Sequence, residues 1–241
     1  MSQIRDSWDR LDVYHLILIF LVISGLSAVY LTKNISFLLQ LVVAPLVAAV
    51  LDIAINYAKT RSVIKPLTAM ISGLIIALVL PPSIVPAAAA SAIAIVSKHV
   101  IRWKGRKVFN PAAFGVILAA FIFGTDTSWW ISVSLLTLLG FLVVFKLGRL
   151  RTSLAFLAAY FVLVYATTQQ ILPDMTAIFF ATIMLIEPKT SPYTKKGMIV
   201  FGIATALLAV GVQPLQLGKD TFLISLLVMN LFTGLINKKL K

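Results

Sequence analysis

Apolar and polar positions in this chain come in blocks. Ten mainly apolar blocks lie at 13–32, 37–56, 66–80, 84–101, 111–124, 129–147, 152–168, 174–187, 197–213 and 220–237, with short polar connections between them. A helix that crosses a bilayer needs about 20 mainly apolar residues. The blocks at 66–80, 111–124 and 174–187 are short for that role and predict half-helices or helices tilted into the protein interior. The connections leave no room for a soluble domain. The pattern predicts an all-α polytopic membrane protein, with residues 1–241 forming one membrane domain of about ten transmembrane segments.

Composition agrees. The chain has 241 residues, 60% hydrophobic and 12% charged, and its mean hydropathy is +1.02. A soluble domain of this size carries more polar surface. The mixed-charge start (MSQIRDSWDRLD) leads into a long apolar run, which reads as a first membrane helix rather than a cleaved signal peptide. The absence of cysteine excludes disulfides, Cys-ligated zinc and Cys-ligated iron–sulfur clusters in this chain. The two histidines, His15 and His99, are far apart in sequence and do not recommend a bis-histidine haem. No metal site or catalytic residue is assigned.

Charge changes the picture by supplying an orientation. Of the 21 lysines and arginines, 19 fall at the termini or in alternate connections, and only Lys33 and Lys219 fall on the opposite side, with Asp126, Asp174 and Asp220. The net charge of +13 is therefore a topology signal rather than a nucleic-acid signal. An even number of spans preserves the alternation and puts both termini on the cytoplasmic side of a cytoplasmic (inner) membrane.

Two segments end in related ways. The third runs into Pro81-Pro82-Ser83-Ile84-Val85-Pro86 and the eighth into Glu187-Pro188-Lys189-Thr190-Ser191-Pro192. Each has the spacing Pro-x-x-x-Pro, and an offset of 106 residues relates them. The same offset sets 111–124 against 217–230. Chance spacing at two helix ends is the plain alternative. As a duplication, it gives repeats of about 13–124 and 129–237. Five spans per repeat invert the second copy, the architecture in which a site lies between the halves. Broken backbone in a membrane must be buried in protein or line a cavity, so both breaks are expected to point inward.

The residues around these breaks carry a resemblance. SGLIIALVLPP, AIAIVSKH, the basic loop and FNPAAFG, followed by FFATIMLIEPKTSPYTKKGMIVFG and SLLVMNLFTGLI, resemble the NqrB/RnfD family of membrane subunits, shared by the sodium-pumping NADH:quinone oxidoreductase and the Rnf electron-transport complexes. The resemblance covers about 66–241. It implies an inverted-repeat, urea-transporter-like fold with broken helices, a place beside flavins, and electron flow coupled to sodium or proton movement. The family carries FMN on a threonine of a Ser-Gly-Ala-Thr motif between its fifth and sixth spans. Here that loop is Gly124-Thr125-Asp126-Thr127-Ser128-Trp129, and the motif is absent from the chain. Covalent FMN is accordingly not expected.

Candidate site residues follow from chemistry and resemblance together. Asn110 before Pro111 has the form of a plain helix cap. It equally suits a helix start aimed at an anion or a polar ring. Phe109 and Phe114 could stack on an isoalloxazine or simply pack. Glu187 matches the acidic position that the family associates with cation passage, and Lys189 is its nearest potential ion-pair partner. Asp52, inside the second segment, could reach headgroup water or serve transport. Lys98 matches the family's lysine after Ala-Ile-Val. Thr190 and Ser191 match its Thr-Ser. Trp129 and Trp130 suggest an interfacial belt. Gly73, Ala77 and Ala87–Ala90 suggest close helix packing. The assigned sets are Lys98, Phe109, Asn110, Thr190 and Ser191 for a cofactor, and Glu187 and Asp52 for transport.

These features predict a membrane subunit of a flavin-dependent electron-transport system, holding a non-covalent flavin (FMN or riboflavin) or positioning a partner's. The expected partners are the lipid bilayer and flavoprotein or ferredoxin-type redox proteins. The alternative, from another functional class, is a transporter or channel for a small polar solute or flavin precursor.

Overall fold

The computed structural model describes residues 12–169, 174–213 and 220–241. Arg5, Arg10 and Lys219, used above for orientation, lie outside the described residues. The helices are α1 (Val13–Thr32), α2 (Ile35–Thr60), α3 (Leu67–Val79), α4 (Ile84–Val100), α5 (Pro111–Phe123), α6 (Gly140–Leu147), α7 (Leu150–Thr168), α8 (Met175–Phe179), α9 (Lys195–Val212) and α10 (Thr221–Lys239). Five of them, α1, α2, α7, α9 and α10, are long and apolar enough to cross a membrane. The apolar stretches Leu67–Val79, Ile84–Val100, Pro111–Phe123, Leu135–Leu147 and Met175–Met184 are shorter. The chain is an all-α, multi-pass membrane protein.

Local chemistry sets the helix ends. Asp12, Asn34, Asn110, Asp174, Thr194 and Asp220 each cap a helix start by accepting a backbone N–H. Interior contact relies on missing side chains. A Cβ at Gly73 of α3 would meet the Pro45 backbone of α2, and one at Gly115 of α5 would meet the Ala90 carbonyl of α4. One at Gly202 of α9 would stand 2.6 Å from the Thr152 carbonyl of α7. Backbones approach closely at all three crossings, as small residues permit in membranes. The pairings of the first five helices reappear in the last five. α2 packs on α4 and α7 on α9; α4 packs on α5 and α9 on α10. α1 against α6, and α5 against α10, join the two sets.

The sixth apolar block is where the pattern misleads. Instead of one helix over 129–147, Trp130–Val133 and Leu135–Leu139 form 3₁₀ turns and only Gly140–Leu147 is α-helical. Polar side chains inside the block compete for its backbone. The Thr137 hydroxyl donates to the Ile131 and Ser134 carbonyls at 2.8 Å each, and Ser134 Oγ accepts the Leu136 N–H at 3.2 Å. Nor is Trp129 part of an interfacial belt. It is buried, its indole N–H donates to Asp220, and its ring meets Phe179 and Phe222 edge-on. Trp130 stacks on Phe37 with ring centres 5.0 Å apart.

Both predicted breaks occur, and side chains from elsewhere satisfy their backbone. α3, at 13 residues, is about 20 Å long, too short to cross alone. At its end the buried Gln40 amide of α2 donates to the Ala77 and Leu80 carbonyls (2.9 and 3.2 Å) and accepts the Ser83 N–H at 2.7 Å. α8 passes into a π-helical turn, Phe180–Met184, in which the Leu185 N–H reaches the Phe180 carbonyl at 2.9 Å, and the segment ends before Glu187-Pro188. Here the buried Arg149 guanidinium donates to the Pro192 carbonyl. Burial pulls this guanidinium below its ordinary pKa.

Candidate functional site

The break after α8 folds into a tight turn around Glu187. The Thr190 and Ser191 backbone N–H groups donate to the Glu187 carbonyl at 3.2 and 3.0 Å. The Ser191 hydroxyl donates to the same carbonyl at 2.8 Å. The Thr190 hydroxyl donates to Glu187 Oε2 at 3.1 Å. The other carboxylate oxygen accepts from the Lys107 ammonium. Lys107, not Lys189, is therefore the ion-pair partner. Its position comes from a short hairpin that the apolar pattern did not foresee, β1 (Arg102–Trp103) against β2 (Arg106–Lys107). Arg102 pairs with Lys107 and Trp103 with Arg106. Lys104 and Gly105 make the turn with φ of 48° and 79°, the two left-handed residues of a tight hairpin connection.

Asn110 caps α5, with its side-chain oxygen accepting the Ala113 N–H at 3.1 Å. It also does more than cap. Its amide nitrogen donates to the Met184 carbonyl at 3.2 Å, in the π turn, and its backbone N–H donates to Asn230 Oδ1 of α10 at 2.8 Å. Asn230 Nδ2 in turn donates to the Thr190 carbonyl at 3.1 Å, which also accepts the Thr233 hydroxyl at 2.7 Å. Asn110 and Asn230 thus tie α5, α8 and α10 to the Glu187 turn in a buried, fully partnered network.

A second polar cluster lies between α2, α3 and α4. Asp52 does not reach headgroup water; it is only 3% exposed. Its Oδ1 accepts from Lys98 Nζ at 2.9 Å and lies 2.7 Å from His99 Nε2. The Lys98 ammonium also donates to Thr68 Oγ1 of α3 at 3.1 Å. Lys98 and His99 belong to the last turn of α4. Among the described residues, no group of three or more His, Asp or Glu side chains is arranged to hold a metal ion.

Glu187 of the first cluster and Thr68 of the second line one cavity. Its lining includes Thr68, Ser72, Asn110, Pro111, Ile183 and Glu187, and its volume is about 80 Å³. That is room for a few waters or a small ion, against the several hundred Å³ of pockets that hold drug-sized ligands. Phe109 and Phe114 stack on each other with centres 5.4 Å apart. Lys98, Asn110, Thr190 and Ser191 direct their polar groups to protein partners. This cavity is too small for the fused rings of a flavin; of the residues assigned to a cofactor only Asn110 lines it, and Thr190 and Ser191 line a separate groove of about 710 Å³. The structure brings Glu187, Thr190, Ser191 and Asn110 together, and it brings Lys98 to Asp52. It adds Gln40, Thr68, His99, Lys107, Arg149, Asn230 and Thr233. Gln40 and Asn230 were discernible as lone amides in apolar helices, where an unpartnered amide is costly. Lys107 left no such mark among its basic neighbours.

No curated protein matches the chain. The model of the NQR2, RnfD, RnfE family matches it over two overlapping stretches, residues 2–140 and 126–241. Together these leave almost no part of the ten-helix architecture unmatched, so the chain belongs to the NQR2, RnfD, RnfE family, as a multi-pass membrane subunit of the Rnf and Nqr electron-transport type.

Proposed function

We propose that this chain is the cation-handling membrane subunit of a flavin-dependent electron-transport complex, with the flavins carried by its redox partners. One observation carries the reading. Two carboxylates, Asp52 and Glu187, are each neutralised by a lysine, Lys98 and Lys107; Glu187 lines a water-sized cavity, and Thr68, which accepts from Lys98, lines the same cavity. Ionisable groups inside membrane helices are costly and are kept where they pair or pass charge. A cation entering at Glu187 would compete with the Lys107 ammonium for Oε1, while Thr190 holds Oε2 in place. The halves, about 13–124 and 129–237, are read as inverted copies, with the termini cytoplasmic and the protein in the inner membrane. The recurring helix pairings and the positive-inside bias support that reading.

The test uses the full chain expressed with its neighbouring genes. Solubilised complex is expected to retain flavoprotein partners and a flavin absorbance. Glu187→Gln is expected to assemble normally but to lose cation-stimulated electron transfer. A chain that purifies alone, with partners and flavin absent under every mild condition, overturns the proposal. So does a Glu187→Gln complex with unchanged cation dependence.

The same cavity favours a second reading, passage of a small polar solute, because the Thr68 and Ser72 hydroxyls and the Glu187 carboxylate line it. Uptake by partner-free proteoliposomes that is abolished by Glu187→Gln would select this reading; liposomes tight to water, ions and small polar solutes would reject it.

A further inference from the structure

A larger groove lies on the other face of the Glu187 turn, between the β1–β2 hairpin, residues 188–191 and the last turns of α10. Its volume is about 710 Å³. One part of its wall is cationic: Lys104, Arg106, Lys189 and Lys238 line it. All four are exposed, and none has an acidic partner among the described residues. Lys107 also reaches the groove but is committed to Glu187. The other part of the wall is apolar, formed by Leu231 and Leu235 of α10, both of them exposed. Trp103, on the hairpin, is 72% exposed beside the cations.

We infer that this groove binds an anionic phospholipid, its phosphodiester headgroup on Lys104, Arg106, Lys189 and Lys238 and an acyl chain along Leu231 and Leu235. The unpaired cations ask for negative charge. The contiguous leucines belong to a helix long and apolar enough to span, so the groove opens from a charged rim onto a bilayer-facing surface. A soluble anion would use the rim and leave the leucines uncovered; a phospholipid matches both. An exposed tryptophan next to lysines is the usual signature of headgroup depth. Basic pockets between membrane helices recognise anionic headgroups in this way. Gly234 forms part of the groove between the leucines, and a Cβ placed there would meet no atom within 4 Å. The groove is therefore open to a chain at that point. The inference does not depend on the electron-transport reading.

The test is native mass spectrometry of the delipidated full chain, titrated with phosphatidylglycerol or with phosphatidylcholine of the same acyl chains. Phosphatidylglycerol is expected to bind at a concentration at least about tenfold lower, since each groove cation contributes roughly fivefold. Arg106→Gln/Lys238→Gln is expected to lose on the order of tenfold or more of that preference. Lys59→Gln/Arg61→Gln, with the same change in net charge away from the groove, is expected to keep it. Gly234→Leu fills the groove without altering charge; it is expected to weaken lipid binding while leaving the melting temperature at or above wild type. Equal retention of the two lipids overturns the inference. So does equal loss in the two charge variants, or unweakened binding to Gly234→Leu. Inorganic phosphate that binds at lower concentration than the lipid would mark a free-anion site and overturn it as well.

Discussion

The Asn110 backbone N–H donates to the Asn230 side chain across 2.8 Å, joining the start of α5 to the interior of α10. The bond spans 120 residues of sequence and is buried. Asn230→Leu removes that acceptor, leaving the buried Asn110 N–H unpartnered, and takes one of two donors from the Thr190 carbonyl, which keeps the Thr233 hydroxyl. We expect a loss of roughly 1–3 kcal/mol in stability, read as a fall in melting temperature in detergent. Asn230→Gln, one methylene longer, is not expected to restore it. Unchanged melting of Asn230→Leu would refute the network's role.

Gln40 holds the first break together with three hydrogen bonds. Gln40→Leu keeps the bulk but leaves the Ser83 N–H and two carbonyls unserved. A destabilisation of about 2 kcal/mol or more follows. Gln40→Glu can still accept from Ser83 as a carboxylate but cannot donate to Ala77 and Leu80, so it is expected to be little better. Thermal melting of the two variants side by side checks both statements.

Lys107 and Glu187 should behave as a unit. Lys107→Met leaves a half-buried carboxylate without its counter-charge, whereas Lys107→Met/Glu187→Met removes both charges. The single substitution is expected to cost more than the double, as for other ion pairs withdrawn from water. A double-mutant cycle on melting measures the coupling. A coupling of zero would mean the pair is not formed in the membrane. The same ordering is expected for Lys98→Met against Lys98→Met/Asp52→Leu, with the gap narrowed by His99, which lies 2.7 Å from the Asp52 carboxylate and partners it in the single variant.

Glycine substitutions should separate sharply by position. Gly73→Val and Gly115→Val drive a side chain into a facing backbone and are expected to abolish folded expression. Gly211→Ala, in α9 with no atom near the new Cβ, is expected to raise stability by about 0.5–1 kcal/mol. Expression level and size-exclusion profile of the three variants decide the point. Well-folded Gly73→Val would mean that α2 and α3 are farther apart than described.

Most of the architecture was legible in the apolar blocks, because a spanning helix must show its length and composition locally. Val13–Thr32 ends where its block ends, and the breaks at Pro81-Pro82 and Glu187-Pro188 announce themselves through proline. The sixth block failed because Ser134 and Thr137 look innocuous in an apolar run, yet their hydroxyls redirect the backbone. Of the candidate site, Glu187 and Asn110 were visible as polar residues in costly places. Their partners were not. Nothing local to Lys107 says that a two-residue turn at Lys104-Gly105 will fold it back onto Glu187. Nothing local to Asp52 says that a lysine and a histidine 46 and 47 positions later will close over it. Pairings of that range depend on helix packing, which composition does not encode.

The π turn at Phe180–Met184 inserts one residue beyond the α-helical repeat, and a residue is about 100° of rotation around a helix. Every side chain after it, Glu187 included, is therefore out of phase with the apolar stripe before it. Restoring regular phase by deleting one residue between Phe180 and Met184 would swing the Glu187 turn away from both Lys107 and Asn110 at once. The orientation of this site thus hangs on a counting irregularity several residues upstream as well as on the residues that touch it.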